Sequence, residues 1–369
     1  MKLGIDVSRY KSDQATGVEW YSKQIINSLL PLVKEEKEIE DVLFYSPHDF
    51  SLPTQSSKFT KRIIPFPRLW TATRLSYEIL TKTPDILFVP SHSIPLIYPQ
   101  KSVVTIHDVA FKRFRNAYST LHYAHLNWST KFAVKNAYRI IVPSEATKSD
   151  LMFFFKCEEE KIRVIHHGQP DFIYPDADNF PVIEKFGLKE NEPFALFVGR
   201  LETKKNLIYL VDSFAEFAKE FPEWKLVLAG KDGIGADEIR EKIQEMELSS
   251  KIILTGYISE KEKSALYNNS QFVVFPSLYE GFGFPILEAF QHRRPILTSK
   301  GSACQEIAQD CALIVDSHDK KDICEGMKKL ASNKEYCDDL AKKGNDRLLD
   351  FSWDKAAQET LAVLMGKDE

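Results

Sequence analysis

Two glutamates, Glu280 and Glu288, flank seven residues in the stretch PSLYEGFGFPILEAFQHRRP, with Gly281 and Gly283 between them. Carboxylates around a glycine pair suit the recognition of hydroxyl groups. Glu280, ahead of a helix, can accept hydrogen bonds from sugar hydroxyls, and Glu288, one turn inside it, from a ribose diol. The glycines let backbone approach a ligand closely, and Pro285 suits the first turn of a helix whose unpaired N–H groups would face an anion. The plainer alternative for the same stretch is a capped surface helix.

A second constellation is FVGRLETKKNL, where a strand end delivers Arg200 and, five residues later, Lys205. Fixed cations stabilise the negative charge that builds on a departing diphosphate, with no proton transfer, and can stand where a metal would otherwise be needed. In VVTIHDVAF, His107 and Asp108 follow a strand directly. Such a histidine can be a general base, a zinc ligand or a buried structural group, and no second ligand cluster supports zinc. Gly17 and Val18 open the first long helix, in TGVEWYSKQI. Neither there nor in GKDGIG or GFGFPI is there a GxGxxG dinucleotide fingerprint, so nicotinamide chemistry has no support.

His107, Arg200 and Glu280 follow short aliphatic runs, and the runs define the architecture. The first half supplies LGIDV, DVLFYS, DILFVP, SVVTI, RIIVPS and IRVIHH; the second supplies FALFVG, KLVLAG, KIILTG, FVVFP, PILTS and ALIVD. Between them, apolar residues at three-to-four spacing predict helices over 18–36, 119–137, 205–220, 259–269 and 285–292. Alternation of this kind builds parallel sheets covered by helices on both faces. At 369 residues the chain is long enough for two such domains. The expected division is a first domain of 1–170 and a second of 171–351, with the linker in the aperiodic stretch 169–193. The amphipathic segment 352–369 crosses back onto the first domain. Ligands bind at the carboxyl ends of strands in open parallel sheets, so two such domains facing each other make a cleft there.

Composition narrows the class. The hydrophobic fraction is 43% and the charged fraction 28%, as in ordinary globular proteins. No apolar run reaches the roughly 18 residues of a membrane span, and MKLGIDVSRY reads as a buried strand rather than a secretion signal, so the expected location is the cytoplasm. Cys157, Cys304, Cys311, Cys324 and Cys337 are scattered and lack zinc-site spacing. Residues 1–170 carry 23 Lys+Arg against 17 Asp+Glu, and the remainder 26 against 36, giving +6 and −10. A nucleic-acid-binding domain would be far more basic, so no nucleic-acid partner is expected.

Order and spacing of these motifs resemble one family. GVEWY, IHDVAF, IVPSEATKSDL, FVGRLETKKNL, LVLAGKDG, LTGYIS, EGFGFPILE, CALIVD and FSWDKAA are similar to segments of the retaining GT-B glycosyltransferases of family 4, group 1, defined by the Glu-x7-Glu pattern. The resemblance spans nearly the whole chain. It implies two Rossmann-like doubly wound domains and no cofactor beyond a nucleotide-diphosphate sugar as co-substrate. It also implies no metal, and transfer of a hexosyl group with retention of configuration.

Residue by residue, the resemblance places Arg200 and Lys205 on the diphosphate, His107 and Glu280 on the transferring sugar, and Glu288 on the ribose. Gly17, Val18, Gly281, Phe282, Gly283 and Phe284 then lie near the donor, with Tyr257 and Ile258 near the nucleobase. IHDVAF and CALIVD look most like the branch that transfers mannose from GDP-mannose during polysaccharide assembly, with UDP- and dTDP-sugar enzymes as the alternative. The sequence departs from the family at HHGQP and at GSACQEIAQD, which puts local contacts there in doubt. A non-catalytic sugar-nucleotide-binding scaffold is the reading from another class, against which the intact Arg200, Lys205, Glu280 and Glu288 argue.

The acceptor is expected to be a glycan or lipid-linked. Residues 109–144 hold no acid but carry Lys112, Arg113, Arg115, Lys131, Lys135 and Arg139, interleaved with aromatics including Tyr123 and Trp128. Such a segment can seat a protein on an anionic membrane surface or bind a lipid-linked diphosphate. It can equally be a core helix with inward aromatics and solvated cations.

Overall fold

The computed structural model describes residues 1–10, 16–66, 69–170 and 180–368. The chain divides into two compact units, residues 1–168 with 351–369 and residues 169–350. Each is an open, fully parallel sheet with helices between its strands.

In the first unit the strands are β1 (Lys2–Asp6), β2 (Asp41–Ser46), β3 (Phe59–Ile63), β4 (Ile86–Val89), β5 (Lys101–Thr105), β6 (Arg139–Val142) and β7 (Ile162–Val164), in the order β3-β2-β1-β4-β5-β6-β7. Six of them are the aliphatic runs read from the sequence. The seventh, β3, is the edge strand FTKRI, with no fully buried residue. An edge strand with one partner needs no apolar run, which is why the pattern misses it.

The second unit has β8 (Phe194–Val198), β9 (Lys225–Ala229), β10 (Ile252–Gly256), β11 (Phe272–Phe275), β12 (Ile296–Ser299) and β13 (Leu313–Val315), in the order β10-β9-β8-β11-β12-β13. Every residue of β8 and β11 is buried, because helices cover both faces of the central strands. Phe197 stacks on Phe275 at 6.0 Å, and the helix Leu207–Glu220 buries Leu210, Val211, Phe214 and Phe217. Each such side chain contributes about 1.5–3 kcal/mol by leaving water.

In both sheets the winding direction reverses next to the first strand, between β1 and β4 and between β8 and β11. The loops leaving those neighbours run to opposite faces of the sheet and open a crevice at their carboxyl ends. Two glycines shape that edge of the second unit. Gly199 and Gly230 have φ of +152° and +153°, and a Cβ on Gly230 would lie 2.1 Å from the Gly199 carbonyl oxygen. Only glycine there lets the ends of β8 and β9 close up, and pairing continues as Leu201 N–H donates to the Lys231 carbonyl at 2.9 Å.

The helix Trp353–Met365 packs in the first unit against the helix Gly17–Glu35. Trp353 stacks on His167 and sits over Gly168, whose Cβ, if present, would lie 2.4 Å from the Trp353 nitrogen. The chain end is tied by Asp368 Oδ2, which accepts from Arg139 Nε at 3.0 Å and pairs with Arg163 Nε at 2.6 Å.

The basic aromatic segment is more ordered by its own contacts than its composition suggests. Arg115 lies over Tyr123 at 4.3 Å, Lys112 over Phe155 at 4.9 Å, and Arg113 pairs with the buried Asp150 at 2.5 Å. Tyr118, Tyr123 and Phe132 pack on the core. The helix Thr120–Asn136 nevertheless turns Leu121 and Trp128 outward, 85% and 50% exposed, beside exposed Lys131 and Lys135. Among the described residues no helix is long and apolar enough to cross a membrane.

Candidate functional site

Lys205 and Glu280 meet in the second unit. Lys205 ends the 3-10 turn Thr203–Lys205 after β8, and Glu280 lies in the loop after β11, so the two come from the strands that flank the reversal of winding. Lys205 Nζ donates to Glu280 Oε1 at 2.5 Å, and Ser277 Oγ donates to the same oxygen, also at 2.5 Å. Both side chains are nearly buried, 12% and 11% exposed. Both bonds end on Oε1, so Oε2 remains available to a ligand hydroxyl, and two of the three Lys205 N–H groups remain for anionic oxygens.

Gly281 and Gly283 follow at once. Gly283, at φ +110°, begins the helix Phe284–Gln291, with Pro285 in its first turn and no side chain capping it. This is a conformation that only glycine adopts at low cost, and it sets the start of the helix dipole beside Lys205 and Glu280. Phe282 is buried and meets Phe284 edge to face at 5.3 Å, which fixes the turn.

Glu288 is buried one turn further on, and both its oxygens are engaged. Lys263 Nζ donates to Oε1 at 2.6 Å and Tyr267 OH to Oε2 at 2.8 Å, both from the helix Glu260–Asn269. Burial and the adjoining Glu288 raise the Tyr267 pKa well above that of a free phenol, so Tyr267 donates. The sequence reading missed both partners: in EKEKSALYNNS they look like the ordinary face of a polar helix.

Arg200 behaves differently from Lys205. It leaves the end of β8 half exposed, with Nε 3.4 Å from Glu202, and contacts neither carboxylate of the glutamate motif. Tyr257 is 53% exposed after β10, under Lys231 Nζ at 4.4 Å, whereas the neighbouring Ile258 is buried.

The remaining candidates lie in the first unit. His107, after β5, is buried, and its Nε2 faces the Pro90 carbonyl at 3.3 Å; since a carbonyl only accepts, Nε2 carries the proton. Its ring packs edge-on against Tyr21 at 4.7 Å and lies 5.2 and 5.6 Å from His92 and His167. Burial pushes the His107 pKa down to about 3, and burial likewise lowers those of His92 and His167. All three imidazoles are therefore neutral near pH 7, and His107 is a hydrogen-bonding group rather than a reservoir of positive charge. The neighbouring Asp108 carboxylate accepts from the Ala110 N–H at 3.0 Å.

Gly17 is exposed and Val18 half-buried at the start of their helix. There Glu19 accepts from Thr16 N–H and Thr16 Oγ1, each at 3.0 Å, so a carboxylate already occupies the end where an anion was expected to approach. Asp6, at the carboxyl end of β1, is also buried; burial raises its pKa, and Oδ2 has no partner among the described residues. Hidden in an apolar strand, it gave no signal in the sequence.

Residues 38–169 match Glycosyltransferase Family 4, and residues 179–347 match Glycosyl transferases group 1. O-antigen chain mannosyltransferase B of Escherichia coli is 23% identical over 265 residues, 71% of this chain and 69% of that one. O-antigen chain mannosyltransferase RfbU of Salmonella typhimurium is 25% identical over 290 residues, 78% and 75% of the two chains. Sucrose-phosphate synthase of Thermosynechococcus elongatus superposes with a TM-score of 0.77 at 19% identity, covering 100% of this chain and 99% of that one. The chain therefore belongs to the GT-B glycosyltransferases, with a family 4 region followed by a group 1 region.

Proposed function

We propose that this protein transfers a hexosyl group, mannose from GDP-mannose, to a hydroxyl of a glycan or lipid-linked acceptor in surface polysaccharide assembly. Transfer proceeds with retention of configuration and without a metal ion. The observation that carries the reading is the Lys205–Glu280 pair beside the Gly281–Gly283 turn, at the carboxyl ends of β8 and β11. The two O-antigen mannosyltransferases among its relatives support mannose as the sugar.

In this reading the diphosphate lies at the amino end of the helix Phe284–Gln291, with Lys205 and Arg200 at its oxygens. Glu280 Oε2 accepts from a sugar hydroxyl, Glu288 from the ribose, and Tyr257 and Ile258 border the base. His107, neutral and oriented by the Pro90 carbonyl, positions the sugar. The bond from the anomeric carbon to the phosphate oxygen breaks, and its electron pair goes to that oxygen, whose charge Lys205 and Arg200 stabilise. The acceptor oxygen bonds to the anomeric carbon on the same face, and its proton passes to the leaving phosphate oxygen. No enzymic base is required, consistent with a histidine cluster whose pKa values lie low.

The exposed Leu121 and Trp128 with Lys131 and Lys135 suit peripheral contact with an anionic membrane surface at which a lipid-linked acceptor would be met. Absence of flotation with anionic liposomes removes that part of the proposal alone. The donor is tested by thermal stabilisation with GDP-, UDP- and dTDP-sugars in EDTA, because a ligand that binds only the folded state raises the melting temperature. GDP-mannose gives the selective shift; a shift with a UDP- or dTDP-sugar instead replaces the donor, and no shift with any favours a scaffold.

A further inference from the structure

The amino ends of the strands in the second unit border a cavity of about 310 Å³. Trp224 precedes β9, Gln271 precedes β11 and Pro295 precedes β12, and all three line it. Since every strand of this sheet is parallel, the cavity lies at the edge opposite Lys205 and Glu280. It cannot be part of the candidate donor site.

Its charge runs against its surroundings. Residues 171–369 carry 26 Lys+Arg against 36 Asp+Glu, yet the cavity is lined by Arg293, Arg294 and Lys334 against a single acid, Asp338. Among the described residues no carboxylate forms an ion pair with any of the three cations. Arg294 is the most constrained. Its Nη1 donates to the Ser270 carbonyl at 3.0 Å and Nη2 to the Asn268 carbonyl, which hold the guanidinium in place. Its Nε is buried with no acceptor among the described residues. A largely desolvated guanidinium without a counter-ion is costly, and an anion beside it offsets that cost.

We propose that this cavity binds a phosphate dianion, free or as the monoester of a hexose-sized group. Three cations less one carboxylate leave +2, which a phosphate of charge −1.5 to −2 balances. Guanidinium forks match phosphate oxygens in geometry. The volume lies at the lower end of the roughly 300–1,000 Å³ of small-molecule sites, enough for a sugar phosphate and small for a nucleotide sugar.

Isothermal titration of the full chain with inorganic phosphate and with glucose 6-phosphate tests this, using three proteins: the native sequence, the double variant Arg293→Glu/Lys334→Glu, and Lys205→Ala. Both reversed positions are exposed and make no ion pair, so the double variant folds. Its melting temperature in phosphate-free buffer should equal or exceed that of the native protein, because like-charge repulsion is relieved. Binding should weaken at least tenfold in the double variant and stay unchanged in Lys205→Ala. Tighter binding of glucose 6-phosphate identifies a monoester as the ligand, and equal binding identifies free phosphate. Absence of binding at millimolar concentrations, or a loss confined to Lys205→Ala, overturns the proposal.

Discussion

Replacing Lys205 with methionine removes a cation from a pair that is almost out of water, and the structure sets the size of the effect. The side chains of Lys205 and Glu280 are only 12% and 11% exposed. Breaking a buried pair costs about 3–5 kcal/mol, because the remaining charge stays desolvated without its partner. Here Ser277 Oγ still donates to Glu280 Oε1, which favours the lower figure, about 3 kcal/mol. For a unit the size of residues 169–350, each kcal/mol moves the melting temperature by about 2–4 °C, so Lys205→Met should melt roughly 6–12 °C lower. The double variant Lys205→Met/Glu280→Gln removes both charges and should recover most of that loss, while transfer activity stays roughly 100- to 1,000-fold down for want of the cation. Differential scanning calorimetry of the native protein, Lys205→Met, Glu280→Gln and the double variant gives the stability cycle, and nucleotide release gives the rates. If Lys205→Met melts within 1 °C of the native protein, the pair does not form in solution and the reasoning fails.

Tyr267→Phe deletes the hydroxyl that donates to Glu288 Oε2 and should raise KM for the donor while leaving kcat nearly unchanged; a fall in kcat at constant KM would contradict a ribose-binding role. Gly283→Ala places a side chain at φ +110° and 3.1 Å from Ile286 Cδ1, and should destabilise by about 1–3 kcal/mol in urea unfolding. Acid should weaken the first unit through its buried histidines. The folded pKa of His107 is about 3 and lies below the unfolded value near 6.5, so its contribution is present above pH 6.5 and is lost as pH falls towards 3. At pH 5 that loss is about 2 kcal/mol from His107, and His92 and His167 act in the same direction. Equal urea midpoints at pH 7.5 and 5.0 would show that the cluster is not buried neutral.

How much of this was legible in the sequence depended on whether the signal was local. Central strands such as FALFV and FVVF are buried on both faces and announce themselves as unbroken apolar runs, and the start of the helix at Phe284 is written in GFP. Edge strand β3 has one partner and a polar face, so FTKRI carried no pattern. At the site, spacing along the chain identified Glu280, Glu288 and Lys205 as chemically able residues. It did not say that Lys205 reaches Glu280, 75 positions away, since that follows from which two loops leave the strands at the reversal of winding. It also treated Arg200 and Lys205 as alike, whereas one is half exposed beside Glu202 and the other is turned inward. Lys263, Tyr267, His92 and Asp6 were invisible for the same reason: each is an ordinary residue in its own segment and becomes part of a site only through long-range packing.

The measurement that bears most directly on the central claim is nucleotide release from GDP-mannose, in EDTA and with a membrane-glycan extract as acceptor, by the native protein and by Glu280→Gln. The account predicts acceptor-dependent GDP release by the native protein and at least a hundredfold slower release by Glu280→Gln, with the fold retained by circular dichroism. Equal rates from the two proteins would contradict the assignment of Glu280 to the transferring sugar.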